Sequence, residues 1–282
     1  TTEDSIDVID VWISTGRDQA QTIKSLIDES FTPQKNISVN LRLVQQGALL
    51  SAVVAGIGPD VALQMPENEP LNYAIRGAVV NLKEFDDFSE IVERFHKEAM
   101  VAYSFNDGAF ALPETTTFPM LFYRKDILDE LGLEVPETWD QLYEILPVLQ
   151  KNNMNFFLPV SLPTLPYVGV STYYTLLYQN GGEMYSEDRT HTLIGNSSGI
   201  DAFRKWVELY YNYKLPIVAD FPNRFRIGEI PLGIQDYSMF NLLSVFAPEI
   251  KGLWSFAPVP GILQEDGSIN RTVAAGGINC MM

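Results

Sequence analysis

Apolar positions along this chain alternate between continuous or period-two runs and stretches with a spacing near 3.6, and each switch predicts a change from strand to helix. Residues 6–13 read as a strand, 18–31 as an amphipathic helix, 37–44 as a second strand, 47–57 as a short Ala- and Val-rich helix ending at Gly56, and 60–64 as a third strand. This β-α-β-α-β order predicts a parallel sheet with helices on both sides. Ligands of such sheets lie beyond the carboxyl ends of the strands. The candidate loops are therefore residues 14–17, Gln45 with Gln46, and residues 65–68.

The stretch 110–142 breaks this rhythm. Residues 110–113 read as the end of one strand and 119–123 as a second apolar strand, with a Thr-rich bridge, Thr115-Thr116-Thr117, between them. A short helix over 126–131 stops at Gly132, Pro136 fixes a turn, and Thr138 with Gln141 three positions on predicts a capping-box start for the next helix. The chain here passes from one module to another. Beyond it, helix 139–152, a short strand at 156–158, a Pro-rich loop over 159–169 and a helix carrying Tyr173, Tyr174 and Tyr178 lead to Gly181-Gly182. A polar hairpin-like stretch, a helix over 198–213 with Trp206 facing inward, a strand at 231–235, a helix starting at Asp236 and a strand over 252–258 complete a second alternating α/β half.

Composition narrows the partners. The 282 residues, 46% of them apolar, suffice for two globular lobes, and every long apolar run is broken before the roughly 18 residues a spanning helix needs. With 19 basic and 36 acidic residues the net charge is −17, which repels nucleic acid and anionic lipid. The single cysteine, Cys280, sits among apolar residues and reads as a packed thiol. His96 and His191 are too few and too far apart in sequence to suggest a zinc site, and no cofactor is expected. Nucleophile-elbow, zinc-protease and phosphate-loop patterns are missing from the sequence.

Several segments, in order, resemble extracellular solute-binding proteins of family 1, the maltose-binding-protein-like components of sugar-type ABC importers. They are Gly58-Pro59-Asp60-Val61, Pro113, Tyr123-Arg124-Lys125-Asp126, Pro136-Glu137-Thr138-Trp139, Asn180-Gly181-Gly182, the stretch 225–234 read as a strand, and 254–261, WSFAPVPG. Arg124 stands where the family pattern has Asn and is expected to alter a surface contact. The resemblance implies a two-lobed, periplasmic-binding-protein type II-like α/β fold, each lobe a mostly parallel sheet flanked by helices. Lobe 1 would span residues 1–112, a first hinge crossover 113–119, lobe 2 residues 120–273, and a return crossover 274–282. Relatives continue past the position of Met282, so their C-terminal elements are expected to be absent, leaving apolar faces exposed.

The resemblance also implies a function: binding a neutral carbohydrate, an oligosaccharide above all, between lobes that close over it, and presenting it to membrane permease subunits. The protein would be an extracellular or periplasmic monomer, its signal segment already removed and a lipid anchor compatible with the sequence. Its implied ligand contacts are Ser14, Arg17, Glu67, Asn68, Thr117, Tyr173, Asp236, Tyr237, Ser238 and the return glycines Gly276 and Gly277, to which the strand-end rule adds Gln45 and the connecting strand adds Glu114. Aromatic faces and planar polar groups suit a sugar ring's apolar faces and hydroxyl fringe. Trp12, Trp139, Trp206 and Trp254 are expected to pack instead. Two alternatives stay open: a hydrolase using a carboxylate pair such as Glu114 with Asp236, and an interaction domain whose aromatics meet a protein partner.

Overall fold

Strand β1 (Asp7–Ile13) passes from exposed Asp7 to buried Val11, Trp12 and Ile13, so its carboxyl end is anchored in a core. The computed structural model describes residues 7–45, 47–160, 168–274 and 276–282 and divides into two compact units, 1–116 with 276–282, and 117–275. In unit 1, helix α1 (Arg17–Leu26) runs on through a π-turn, Ile27–Phe31, and a last turn, Thr32–Lys35, ending at Asn36 in the left-handed conformation. The predicted helix over 18–31 is therefore longer, continuing to Lys35 through a π-turn that precedes Pro33. Strand β2 (Ile37–Leu43), helix α2 (Ala48–Val54) and strand β3 (Val61–Leu63) follow. β1 pairs in parallel with β2 over its whole length and with β3 at its carboxyl end, giving the order β2-β1-β3. Ala20 and Ile23 of α1, with Ile27 of the π-turn, form a half-buried stripe, and no residue of α1 is fully buried.

A two-residue strand β4 (Met65–Pro66) and helix α3 (Glu69–Ile75) lead, through a 3-10 segment Lys97–Tyr103, to strand β5 (Leu112–Thr117), by which the chain leaves unit 1. The Thr-rich bridge is thus strand, not an interruption: β-branched Thr fits an extended connector.

Unit 2 opens with strand β6 (Pro119–Arg124) and helix α4 (Lys125–Leu131), which ends at Gly132 with φ 65°, a C-cap that glycine adopts without strain. Helix α5 (Trp139–Lys151) carries the capping box formed by Thr138 and Gln141. Strand β7 (Phe156–Phe157), helices α6 (Val168–Gln179), α7 (Ser197–Tyr211) and α8 (Phe221–Arg226), strand β8 (Leu232–Asp236), helix α9 (Met239–Phe246) and strand β9 (Trp254–Ala257) complete it. Neighbouring residues alternate between two cores: Leu121 and Phe156 pack with Leu142, Leu146 and Leu149, while Phe122 and Phe157 pack with Phe221, Phe225 and Leu243. A sheet buried on both faces explains the unbroken apolar runs.

Four sequence readings are corrected in this unit. Its sheet, ordered β9-β6-β8-β7, is not mostly parallel: β8 and β9 both pair antiparallel with β6, and only β8 with β7 is parallel. Periodicity carries no direction, and β6 runs against the other three strands. Phe225 and Arg226 belong to α8, so strand begins only at Leu232 within the stretch 225–234. Asp236 is the last residue of β8 rather than the start of a helix, which follows at Met239. Arg124 is 7% exposed. Its guanidinium pairs with both carboxylate oxygens of Asp126 (2.8 and 2.7 Å) and donates to the carbonyls of Phe225 and Arg226 (3.0 and 2.9 Å), closing the end of α8.

The chain re-enters unit 1 as strand β10 (Gly276–Met281), which takes its place between β4 and β5. There Cys280 is fully buried, with its thiol 3.4 Å from the carbonyl of Met65.

Candidate functional site

In unit 1 the three parallel strands end together. The N–H of Val44 donates to Ile13 O (2.9 Å) and that of Ser14 to Leu63 O (3.3 Å), so Ser14, Gln45 and Gln64 leave neighbouring strands on one edge. Gly16 caps α1, and Arg17 follows it at the first helical position, exposed. Glu67 and Asn68 come directly after β4; Glu67 is half-buried and Asn68 exposed. Glu114, on β5, is half-buried, and its carboxylate accepts the backbone N–H of Gln64. Burial raises its pKa above the ordinary 4.5, and the hydrogen bonds from Gln64 oppose that rise. Gln64 Oε1 accepts from Asn279 Nδ2 (2.8 Å), and Asn279 N–H donates to Thr115 Oγ1 (3.2 Å). Gly276 and Gly277 open β10; Gln46 and Ala275 lie outside the described residues.

In unit 2 the corresponding edge is the carboxyl end of β8. Asp236 is half-buried and lines a cleft with Pro119, Trp139, Thr172, Thr175 and Gln235. Burial raises its pKa above the ordinary 3.8, opposed by the neighbouring Thr117 hydroxyl. The cleft floor is held rigid from behind. Trp139 Nε1 donates to Gln179 Oε1 (2.7 Å), and Gln179, fully buried, donates to the carbonyl of Pro260 (3.1 Å). Next to Asp236, Tyr237 N–H donates to Phe118 O (3.0 Å), which lays the two rings in a stack with centroids 5.2 Å apart and planes 18° apart. Phe240 lies 6.0 Å from Tyr237 with planes 4° apart, and Phe256 meets Tyr237 edge-on. Phe118, Tyr237 and Phe240 remain 36–38% exposed, an aromatic shelf beside a carboxyl group. Ser238 is exposed at the turn into α9.

Thus Asp236, Tyr237, Ser238 and Thr117 gather on the unit 2 edge, and Ser14, Gln45, Glu67, Asn68 and Glu114 on elements that meet near the unit 1 edge. Tyr173 is placed elsewhere. Its ring packs against Tyr174, Phe203 and Trp206, and its hydroxyl lies 3.5 Å from the carbonyl of Gly199, so it fills the seam between α6 and α7. Glu114 belongs to unit 1 and Asp236 to unit 2. Sequence reasoning missed Gln64, Asn279, Phe118, Thr172, Thr175 and Gln235. From sequence Gln64 reads as the end of a strand; Phe118, flanked by the Thr run and Pro119 at the crossing, carries the one usable signal. Among the described residues no group of three His, Cys, Asp or Glu side chains could hold a metal ion, and no helix is long and apolar enough to cross a membrane.

The family model described as bacterial extracellular solute-binding protein matches residues 14–276. The multiple sugar-binding protein of Streptococcus mutans is 26% identical over 128 residues, which are 44% of this chain and 30% of that relative. The chain thus aligns with under a third of that relative's length. Among solved structures, the cyclic alpha-maltosyl-1,6-maltose binding protein of Arthrobacter globiformis superposes with a TM-score of 0.77 at 18% identity, covering 98% of this chain and 70% of that one. The sugar-binding protein MalE of Xanthomonas citri gives 0.76 at 17% identity, covering 97% and 70%. An ABC transporter solute-binding protein of Thermotoga lettingae, bound to alpha-D-tagatose, gives 0.70 at 21% identity, covering 98% and 72%. At these identities the likeness establishes the fold.

Proposed function

Because the chain belongs to the bacterial extracellular solute-binding protein family, we propose that it is the solute-binding component of an ABC importer, taking up a neutral carbohydrate and releasing it unaltered. The observation that carries this reading is the unit 2 edge. A desolvated carboxyl, Asp236, stands beside a part-exposed aromatic shelf of Phe118, Tyr237 and Phe240, above a cleft rimmed by Thr172, Thr175 and Gln235. A pyranose or furanose ring offers such a surface its apolar face for stacking and its hydroxyls for the carboxylate and amide. The sugar ligands named for the structural relatives support the same class, and the maltosyl-maltose named for one of them favours an oligosaccharide. Recognition here needs no bond making or breaking, and the product handed to a membrane permease is the ligand itself. We place the protein outside the cytoplasmic membrane, acting as a monomer without a nucleic-acid partner, in line with its family and its charge of −17.

Calorimetry with a panel of neutral mono- and oligosaccharides tests the proposal. A sugar that binds wild type should bind Tyr237→Ala at least about tenfold more weakly, since a lost stacking ring costs on the order of 1 kcal/mol or more. Binding of amino acids or peptides in place of sugars, or turnover of a chromogenic glycoside, would displace it.

A further inference from the structure

Gln64 is a non-glycine residue in the left-handed region, φ 57°, at the carboxyl end of β3. Of the other such residues, Asn36, Asn106, Asp107 and Asn153 are of the Asn/Asp type that tolerates this conformation, while Arg189 and Lys214 are exposed. A glutamine held there is strained unless its surroundings fix it, and such strain concentrates at functional positions. The surroundings are visible. The Gln64 N–H bonds the Glu114 carboxylate, and Gln64 Oε1 accepts from Asn279 Nδ2. Asn279 is bound in turn to Thr115, the neighbour of Glu114 on β5. The kink has a geometrical consequence. β3 belongs to the parallel sheet β2-β1-β3, and β4, which starts one residue after Gln64, belongs to the separate sheet β4-β10-β5. Gln64 is the corner at which the chain changes sheet, and Glu67 and Asn68 follow as soon as β4 ends.

We propose that Glu114 and Asn279 are positioning residues that clamp Gln64 at this corner and thereby fix the Glu67–Asn68 loop for ligand binding. The proposal rests on the carbohydrate-binding reading, but the clamp has a readout that needs no ligand. Glu114 and Glu67 both act on Tyr103 of the 3-10 segment, and both act with Glu69 of α3 on Cys280 of β10, so Glu114 lies in an acidic neighbourhood. The hydrogen bond from the Gln64 N–H offsets part of the cost of burying it there.

The test uses the chain with Glu114→Ala, Glu114→Gln and Gln64→Gly, read by amide hydrogen exchange at residue 64 and by sugar calorimetry. Glu114→Ala should speed exchange of the Gln64 amide at least about tenfold at unchanged global stability, because the amide loses its buried acceptor. It should weaken sugar binding by about tenfold, while Glu114→Gln, whose side-chain carbonyl can still accept that N–H, restores affinity to within about threefold. Gln64→Gly should melt at or above the wild-type temperature, glycine taking φ 57° freely, yet bind sugar about as poorly as Glu114→Ala. Unchanged exchange in Glu114→Ala overturns the clamp. Faster exchange with wild-type affinity overturns its positioning role. Should wild type bind no sugar at all, the carbohydrate reading fails and takes the positioning role with it, whereas the exchange result still decides whether the clamp exists.

Discussion

Replacing Arg124 by methionine isolates the energetics of one buried ion in unit 2. The substitution keeps an apolar stem of similar length and removes four hydrogen bonds: two charge-assisted bonds to Asp126 at 2.8 and 2.7 Å, and two to the carbonyls of Phe225 and Arg226 at 3.0 and 2.9 Å. With Arg124 7% exposed, water cannot replace the lost donors without local opening. The α8 carbonyls are left with a desolvation cost while Asp126, whose side chain is 34% exposed, regains water on its open side, so the loss is about 2–4 kcal/mol. For a unit of this size that corresponds to a fall in Tm of roughly 4–16 °C. Urea unfolding followed by near-UV dichroism should show a lower midpoint with an unchanged slope, the mark of a native-state effect. Arg124→Lys, which keeps the charge but loses the planar fork, should fall about midway. An unfolding free energy for Arg124→Met within about 0.5 kcal/mol of wild type would refute this account, since it would mean that the α8 carbonyls find water once the guanidinium is gone.

Three further outcomes follow from the geometry. The carboxyls of Glu69, Glu114 and Asp236 are all raised by burial, so each contributes stability that is full below its ordinary value (4.5 for Glu, 3.8 for Asp) and lost as pH climbs through the raised one; Glu114→Gln or Asp236→Asn should flatten that decline in a series of thermal melts. Asp126, held low by Arg124, acts the opposite way, its stabilisation present above 3.8 and lost as pH falls through the lowered value. Tyr173→Phe should leave sugar affinity unchanged and cost under about 1 kcal/mol, because its hydroxyl makes only a long contact to Gly199; a large affinity loss measured by calorimetry would return Tyr173 to the ligand. Gly199→Ala should cost about 1–3 kcal/mol in chemical unfolding, since a Cβ there would lie 2.2 Å from the carbonyl oxygen of Ile194 and the start of α7 must shift.

What the sequence revealed and what it hid divide along a physical line. Local signals were legible: Thr138 with Gln141 is a capping box, Gly132 takes the left-handed C-cap, and the first three strands form the parallel sheet that their spacing implied. These depend on residues within a few positions of one another. Strand direction in unit 2 was not legible, because β6 owes its antiparallel neighbours to strands more than a hundred residues later. Arg124 was misplaced for the same reason: two of its partners lie at 225 and 226, and nothing near position 124 announces them. Among the candidate site residues, Asp236 and Tyr237 are expected from their place after an apolar strand, and the structure puts both beside a cleft, whereas Tyr173, equally open in sequence, packs against Phe203 and Trp206 of α7.

The positions that folding leaves at a cost support the proposed site. Over most of both units the polar groups are reconciled with the fold: Gln179 satisfies Trp139 and Pro260, and Arg124 satisfies a helix end. At the strand ends the pattern inverts. Gln64 keeps an unfavourable backbone angle, Glu114 and Asp236 keep carboxyl groups that burial penalises, and Phe118 with Tyr237 keeps more than a third of its ring surface exposed. Each could be relieved by a simple change, glycine for Gln64, amides for the acids, polar residues for the rings. Local violations of this kind are expected where a sequence answers to something besides its own stability. Gln64 and Asp236 stand at the carboxyl ends of β3 and β8, the positions at which α/β sheets hold ligands, and Glu114 bonds the first of them, which is the physical reason for proposing recognition there.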